Sequence, residues 1–244
     1  MKIVIDPGHG GKDPGATNKY FQEKDMVLQI SKYQYNRFKQ LGIDVVLTRD
    51  RDFTLEPNER IRKVKESGAN ICISNHINSA ESTRAEGAEI IHSIYNDGKL
   101  ANLIMNELVN VGAKKRRVFS KSSTKDAKKD YYYMQRETGS VTTLILEYGF
   151  LTNSSDTKKI LENWERYAEA VIKGVCKYLG TNYVPPEGNE LPKPINGVHW
   201  AERHFNNLIS KGIKIEEKRY DDTITRGEML SLLDRLTDWI NSKK

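Results

Sequence analysis

Lys2-Ile3-Val4-Ile5-Asp6-Pro7-Gly8-His9-Gly10-Gly11 decides how the chain is read. Ile3 to Ile5 makes a short buried strand, and the turn-forming Asp-Pro-Gly ends it. His9 then stands just past the strand's carboxyl end, where flanking glycines let the backbone turn tightly and project a short side chain. The arrangement recurs twice. His76 follows Ile71-Cys72-Ile73-Ser74-Asn75, and Glu147 follows Thr143-Leu144-Ile145-Leu146. In an open parallel α/β sheet, residues past the strand ends converge on one rim, and ligands bind there. Two neutral imidazoles and a carboxylate on such a rim make a zinc site, and a second carboxylate can act as a base.

Outward from these positions, strand and helix signals alternate through residue 180. Strands are expected at Ile3–Ile5, Ile43–Leu47, Asn70–Ser74, Gly87–Tyr95 and Thr142–Leu146. Asp25–Leu41 carries Val27, Ile30, Phe38 and Leu41 on one narrow face, and Gly42 ends that helix. Further helices are expected over 59–66, 100–111, 156–161 and 167–179. Strands alternating with helices indicate a largely parallel sheet covered on both faces. After Gly180 the composition changes. Residues 181–194 hold four prolines and one glycine, as a semi-stiff linker does. A unit of about 50 residues follows (195–244), with helical signals over 200–210 and 226–241. So small a core is marginal alone, and needs a partner copy or a docking surface.

Composition narrows the function classes. With 37% hydrophobic and 30% charged residues the chain reads as a soluble globular protein, and no apolar run reaches the roughly 20 residues that span a bilayer. The apolar start is too short for a signal peptide, so we expect synthesis in the cytoplasm and action elsewhere only after release. Cys72 and Cys176 sit in apolar patterns and read as buried, reduced thiols; no Cys-x-x-Cys pair offers a structural zinc knuckle. A net charge of +6 favours an anionic partner, and its sign alone does not choose among nucleic acid, membrane surface and a charged wall polymer.

The candidate residues differ in how much they say by themselves. Glu23, just before the Asp25 helix, is on local grounds a helix-start acid that suits the helix dipole. Glu147, between Leu-Ile-Leu and Tyr-Gly-Phe-Leu, is close to buried and needs a partner, for which a metal-bound water would serve. His92 alternates with isoleucines and reads as a half-exposed strand histidine, while His199 and His204 lie beyond the linker. Eight basic residues crowd Lys114–Lys129, opposed there by Asp126 alone. They form either a solvated loop or a lure for anionic polymer. In Tyr131-Tyr132-Tyr133 at least one ring is expected in the core, and another could stack on a sugar.

Five stretches in order then carry a family resemblance: Ile-Asp-Pro-Gly-His-Gly-Gly (5–11), Glu-Lys-Asp (23–25), Thr-Arg-Asp (48–50), Ser-Asn-His-Ile-Asn (74–78) and Leu-Glu-Tyr-Gly-Phe-Leu-Thr-Asn (146–153). Over about 180 residues the chain resembles the zinc-dependent N-acetylmuramoyl-L-alanine amidases of bacterial cell-wall hydrolases and phage endolysins. The resemblance implies an α/β fold with a mixed, mostly parallel sheet of about six strands. It also implies one zinc ion held by His9, Glu23 and His76, with Glu147 as the catalytic glutamate. The implied reaction is hydrolysis of the amide between the lactyl group of N-acetylmuramic acid and L-alanine of the stem peptide. Asn78 could hydrogen-bond substrate, and Arg136 could meet a stem-peptide carboxylate, since guanidinium suits bidentate recognition.

Val198-His199-Trp200-Ala201-Glu202 and Ile224-Thr225-Arg226-Gly227-Glu228 resemble the start and end of one S-layer-homology repeat. Thr225 and Glu228 form a capping box for the last helix, which leaves Arg226, with Trp200, for contact with an anionic secondary cell-wall polymer. Such repeats usually come in threes, and this one is shortened between Gly212 and Asp222; dimerisation through its apolar face is the alternative. The leading expectation is therefore a modular peptidoglycan amidase of phage or prophage endolysin type, with peptidoglycan as partner, no nucleic acid and no membrane insertion. A sporulation enzyme would look similar. The competing readings are another zinc hydrolase, a peptidase or deacetylase, and a wall-binding protein without activity. Gly8-His9-Gly10-Gly11 is weak as a nucleotide loop, because it lacks the phosphate-loop Lys-Ser/Thr.

Overall fold

Buried β-branched runs pair into one six-stranded sheet in the computed structural model, which describes residues 1–186. The linker beyond 186, the 195–244 unit, Trp200 and Arg226 lie outside the described residues. In chain order the elements are β1 (Lys2–Pro7), α1 (Glu23–Gln40), β2 (Asp44–Leu47), α2 (Pro57–Glu66), β3 (Ile71–Asn78), β4 (Ala88–Ile91), α3 (Lys99–Asn110), β5 (Lys115–Phe119), α4 (Tyr133–Glu137), β6 (Thr142–Phe150) and α5 (Ser154–Leu179). The strand order is β2-β1-β3-β6-β4-β5. β2, β1, β3 and β6 run parallel, β4 pairs antiparallel to β6, and β5 runs parallel to β4. The mixed, mostly parallel α/β sheet expected from the sequence is thus observed.

Alternation along the strands sorts side chains onto two unequal faces. Ile3, Ile5, Ile71, Ile73, Leu144, Leu146 and Ile90 point into a large core with the apolar faces of α1, α3 and α5. Val4, Cys72, Ile145 and Ile91 point the other way, into a small core with Val64 of α2 and Met134 of α4. Three long helices therefore cover one face and two short ones the other. The sparsely covered face also carries Asp6, Ser74, His76, Glu147 and Glu89, at positions in phase with that smaller core.

Several boundaries differ from the sequence reading. β3 and β6 run on to Asn78 and Phe150, because each satisfies the other's backbone groups past Ser74 and Leu146. His76 and Glu147 consequently lie inside strands, not beyond them. The strand expected over 87–95 stops at Ile91. The basic stretch is not all loop: residues 115–119 form edge strand β5. The two helices expected over 156–179 are one element, α5, kinked at Asn163, whose φ of −133° is not helical. Cys72 and Cys176 are buried free thiols, as expected. At the start of the expected linker the chain is still tied down: Tyr183 Oη donates to Glu169 (2.7 Å) and Arg37 donates to the Val184 carbonyl (2.7 Å). No helix among the described residues is long and apolar enough to cross a membrane.

Candidate metal centre and its buried acid

The loop after β1 is held in an uncommon conformation. His9 has φ 58°, in the left-handed region, followed by Gly10 at 125° and Gly11 at 59°. A non-glycine residue persists there only when its surroundings fix it. Two buried arginines do so by gripping the loop's carbonyl oxygens. Arg49 donates to Pro7 (3.2 Å), Gly8 (2.7 Å) and Lys24 (2.9 Å), and Arg60 to Pro7 (2.7 Å) and His9 (2.8 Å). Asp6 in turn holds Arg60 at 2.5 Å and accepts from Thr48 (2.6 Å) and Ser74 (2.7 Å). The Thr48-Arg49 pair thus serves the loop's shape.

Glu23 arrives from the opposite side, at the first turn of α1. A buried network keeps that helix in register with β3: Asn75 donates to Ser31 and Gln34 (both 2.8 Å) and accepts from Tyr148 (2.8 Å). Two glycines clear the space between. A Cβ on Gly8 would stand 2.2 Å from His76 Cε1, and one on Gly15 would stand 2.6 Å from Glu23 Oε2 and 2.7 Å from His9 Cδ2.

His9, Glu23 and His76 meet in this space, with one potential ligand atom from each within 4.8 Å of the others. Glu23 Oε1 lies 3.0 Å from His9 Nε2 and 3.1 Å from His76 Nδ1. His9 and Glu23 are each aimed by further partners. Asp13 Oδ2 sits 2.7 Å from His9 Nδ1, so the carboxylate orients the imidazole through its other nitrogen. The Ile77 and Ala16 amides donate to Glu23 Oε1 and Oε2, both at 2.9 Å. Burial works against ionised Glu23, but hydrogen bonds from His76 and His9 outweigh it and hold its carboxyl far below the ordinary range. Burial likewise opposes charge on His9, and Glu23 and Asp13 overcome it and raise its pKa. Two imidazoles and one carboxylate, converging on one space, are a donor set that could hold a divalent metal ion.

Glu147 completes the site. It is the register partner of His76 on the adjoining strand. Its Oε2 is closed off from solvent and has no hydrogen-bond partner among the described residues. Burial first, then the charges of Glu23 and Glu89, push its carboxyl well above the usual range. A buried, unpartnered carboxylate oxygen is costly unless a ligand or water satisfies it.

The other expected positions divide. Asn78 lies two residues beyond His76, past a register shift, and donates to Glu89 at 3.1 Å. Arg136 is not brought to this site. It donates to Glu137 (2.8 Å) and to the carbonyls of Asp130 (3.0 Å) and Tyr131 (2.8 Å), and it lines a separate cavity of about 500 Å³ whose wall includes Thr142 and Thr143. His92 follows β4 and bonds the Ser93 carbonyl (2.9 Å), outside the cluster. The sequence reading missed Asp13 and Glu89. For Asp13 the four-residue offset from His9 was an available signal, whereas Glu89 had none.

The fold thus brings two imidazoles and two carboxylates together toward the carboxyl ends of β1, β3 and β6 of an α/β sheet. A family model described as N-acetylmuramoyl-L-alanine amidase matches residues 3–177, and the chain belongs to that family. It is 28% identical to the germination-specific N-acetylmuramoyl-L-alanine amidase of Bacillus subtilis over 205 residues, covering 76% of this chain and 82% of that protein. Among solved structures it is similar to the catalytic domain of CwlV from Bacillus (Paenibacillus) polymyxa var. colistinus, with 27% identity and a TM-score of 0.66, covering 74% of this chain and 99% of that one. It is also similar to AmiC2 of Nostoc punctiforme, with 30% identity and a TM-score of 0.65, covering 74% and 97%.

Proposed function

We propose that the protein is a zinc-dependent amidase that hydrolyses the bond between N-acetylmuramic acid and L-alanine in peptidoglycan. The observation that carries this reading is the unpartnered Oε2 of Glu147, one strand from His76 and in register with it, beside the His9–Glu23–His76 cluster. A zinc ion held by those three side chains supplies Lewis-acid polarisation of the scissile carbonyl and lowers the pKa of a water toward about 7.

The chain's own groups do the rest. Asp13 keeps the His9 ring fixed, and the Ile77 and Ala16 amides keep Glu23 from turning away. Glu147 Oε2 takes a proton from the attacking water and delivers it to the leaving nitrogen of L-alanine. Desolvation of its carboxyl, whose Oε2 is closed off from solvent, favours holding that proton between the two transfers. The products are a muramoyl carboxylate and a peptide with a free L-alanine amino terminus. We place this activity in wall lysis of endolysin type, a setting that the net charge of +6 supports through attraction to anionic wall polymer. Expression inside a bacterial host tests it: lysis is expected only alongside a membrane-permeabilising protein, and lysis without one would refute that setting.

The activity is tested by digesting purified peptidoglycan with and without a chelator and identifying products by mass spectrometry. New L-alanine amino termini with intact muramic acid, lost on chelation and restored by zinc, are expected. Any other new terminus would overturn the assigned bond.

A further inference from the structure

One level of the sheet carries four functional groups in a row. His76 of β3 is the register partner of Glu147 on β6, Glu147 of Glu89 on β4, and Glu89 of Arg117 on β5. At the last step β5 contains an extra residue: Ala88 pairs with Lys115, but Glu89 pairs with Arg117. Consecutive strand residues normally face opposite ways, and a bulge re-aims them. Here it brings both Arg116 and Arg117 to one carboxylate. Each donates from Nε to Glu89 Oε1 at 2.8 Å, and Arg117 Nη2 reaches Oε2 at 3.4 Å. Glu89 itself is buried, 3% exposed.

The arginines are fixed on a second side by aromatic rings. Arg116 lies 5.0 Å from the centroid of Phe150, and Arg117 lies 3.9 Å from that of Phe119. Apart from these contacts and a long one from Arg116 to the Glu86 carbonyl (3.5 Å), both forks remain open. Arg116 Nη2 and Arg117 Nη1 have no protein acceptor among the described residues. Two guanidiniums share one carboxylate, so one positive charge is uncompensated. Both side chains are about half exposed, at 42% and 54%. A pre-organised, half-open, net-positive fork suits a carboxylate.

The order of groups says which carboxylate. In the amidase reading, on which this inference rests, the scissile carbonyl faces the His9–Glu23–His76 cluster and the leaving nitrogen faces Glu147. The leaving peptide then continues away from His76, across β4 toward β5. Neighbouring strands are about 4.8 Å apart, which puts Arg117 about 10 Å from Glu147. An extended peptide advances about 3.3–3.6 Å per residue, so that span is roughly three residues. Both guanidiniums lean back toward Glu89, which shortens it. We propose that Arg116 and Arg117 form a subsite for a free carboxylate on the second or third residue of the leaving stem peptide, with Glu89 as the residue that positions them.

The test uses soluble muramoyl peptides in matched pairs, identical except that the carboxylate of the second or of the third residue is free or capped as an amide. The unmodified protein should favour the free acid in one pair by about 10- to 100-fold in kcat/KM, the range of a charge-assisted hydrogen bond. In the Arg116→Ala/Arg117→Ala variant the ratio should fall to about one. Equal cleavage of acid and amide by the unmodified protein would overturn the proposal, and that comparison needs no variant to fold. A preference that survives in the double variant would overturn it as well. So would a defect seen only on intact walls and absent with soluble peptides, which would assign the arginines to wall polymer. Failure of the amidase reading looks different, because neither member of any pair would be cut. A readout without turnover is calorimetry of the leaving peptide on metal-free protein, where the free acid should bind more tightly than the amide.

Discussion

Replacing Gly8 by alanine should damage the metal centre without unfolding the protein. The added Cβ would stand 2.2 Å from His76 Cε1 and 2.6 Å from both ring nitrogens. A relaxed carbon–carbon contact is about 3.5 Å, so the ring must retreat by roughly 1.3 Å. Metal ligands tolerate displacements of only about 0.2 Å. His76 cannot follow by small rotations, because Nδ1 must remain at the cluster beside Glu23. Changes that merely disturb ligand orientation weaken metal binding by about 10- to 100-fold, and a displacement of this size should reach at least the upper end. Gly8 is not among the glycines with positive φ, so alanine carries no backbone penalty there. Zinc affinity is measured by competition with a chromophoric chelator, alongside thermal melting of the metal-free protein. The expected pattern is a zinc affinity at least about 100-fold weaker with little change in metal-free melting. Unchanged affinity in a folded Gly8→Ala protein would refute the placement of His76 in the cluster.

Three further expectations concern other parts of the site. Glu147→Gln should lower kcat by about 10²- to 10⁴-fold while one zinc ion per chain remains bound; near-normal turnover would remove Glu147 from its proton-transfer role. Because its pKa is raised above the ordinary 6.5, His9 takes up a proton as pH falls, and a metal must then displace it. Zinc affinity measured between about pH 5 and 8 should therefore begin to fall above 6.5 and decline about tenfold per unit below that point; a flat profile would contradict His9 as a ligand. Arg49→Met removes three hydrogen bonds, to the carbonyls of Pro7, Gly8 and Lys24. At roughly 1 kcal/mol each this costs about 3 kcal/mol, seen as a melting temperature about 6–12 °C lower, and an unaltered melting curve would contradict the clamp.

The sequence was most legible where one local pattern decides the outcome. Ile3–Ile5, Ile71–Ile73 and Thr143–Leu146 are runs that read as buried, and they bring the residues that follow them, His9, His76 and Glu147, toward one end of the sheet, although β3 and β6 run on through His76 and Glu147. β5 escaped notice because Lys115, Arg116 and Arg117 have the composition of a solvated loop. Its strand character comes from β4 and from Glu89, 24 or more residues earlier in the chain. Glu23 shows the same limit. Its local context is that of a helix-start acid, which it is, and contacts from a distant segment, the Ile77 amide among them, hold it toward the histidines. The work of Arg49 and Arg60 was illegible for a related reason: their partners are backbone carbonyls, which leave no trace in side-chain identity.

The bulge in β5 has a second consequence, for solubility. β5 is the last strand on its side of the sheet, and an uncovered edge is a template on which another chain can add a strand. Lys115, Arg116 and Arg117 put three like charges along that border, and the extra residue breaks the regular spacing of its hydrogen-bonding groups. The same short segment therefore works against pairing of two copies edge to edge through β5. Variants that neutralise both arginines should aggregate sooner at high concentration, even when their folding and their metal site are intact.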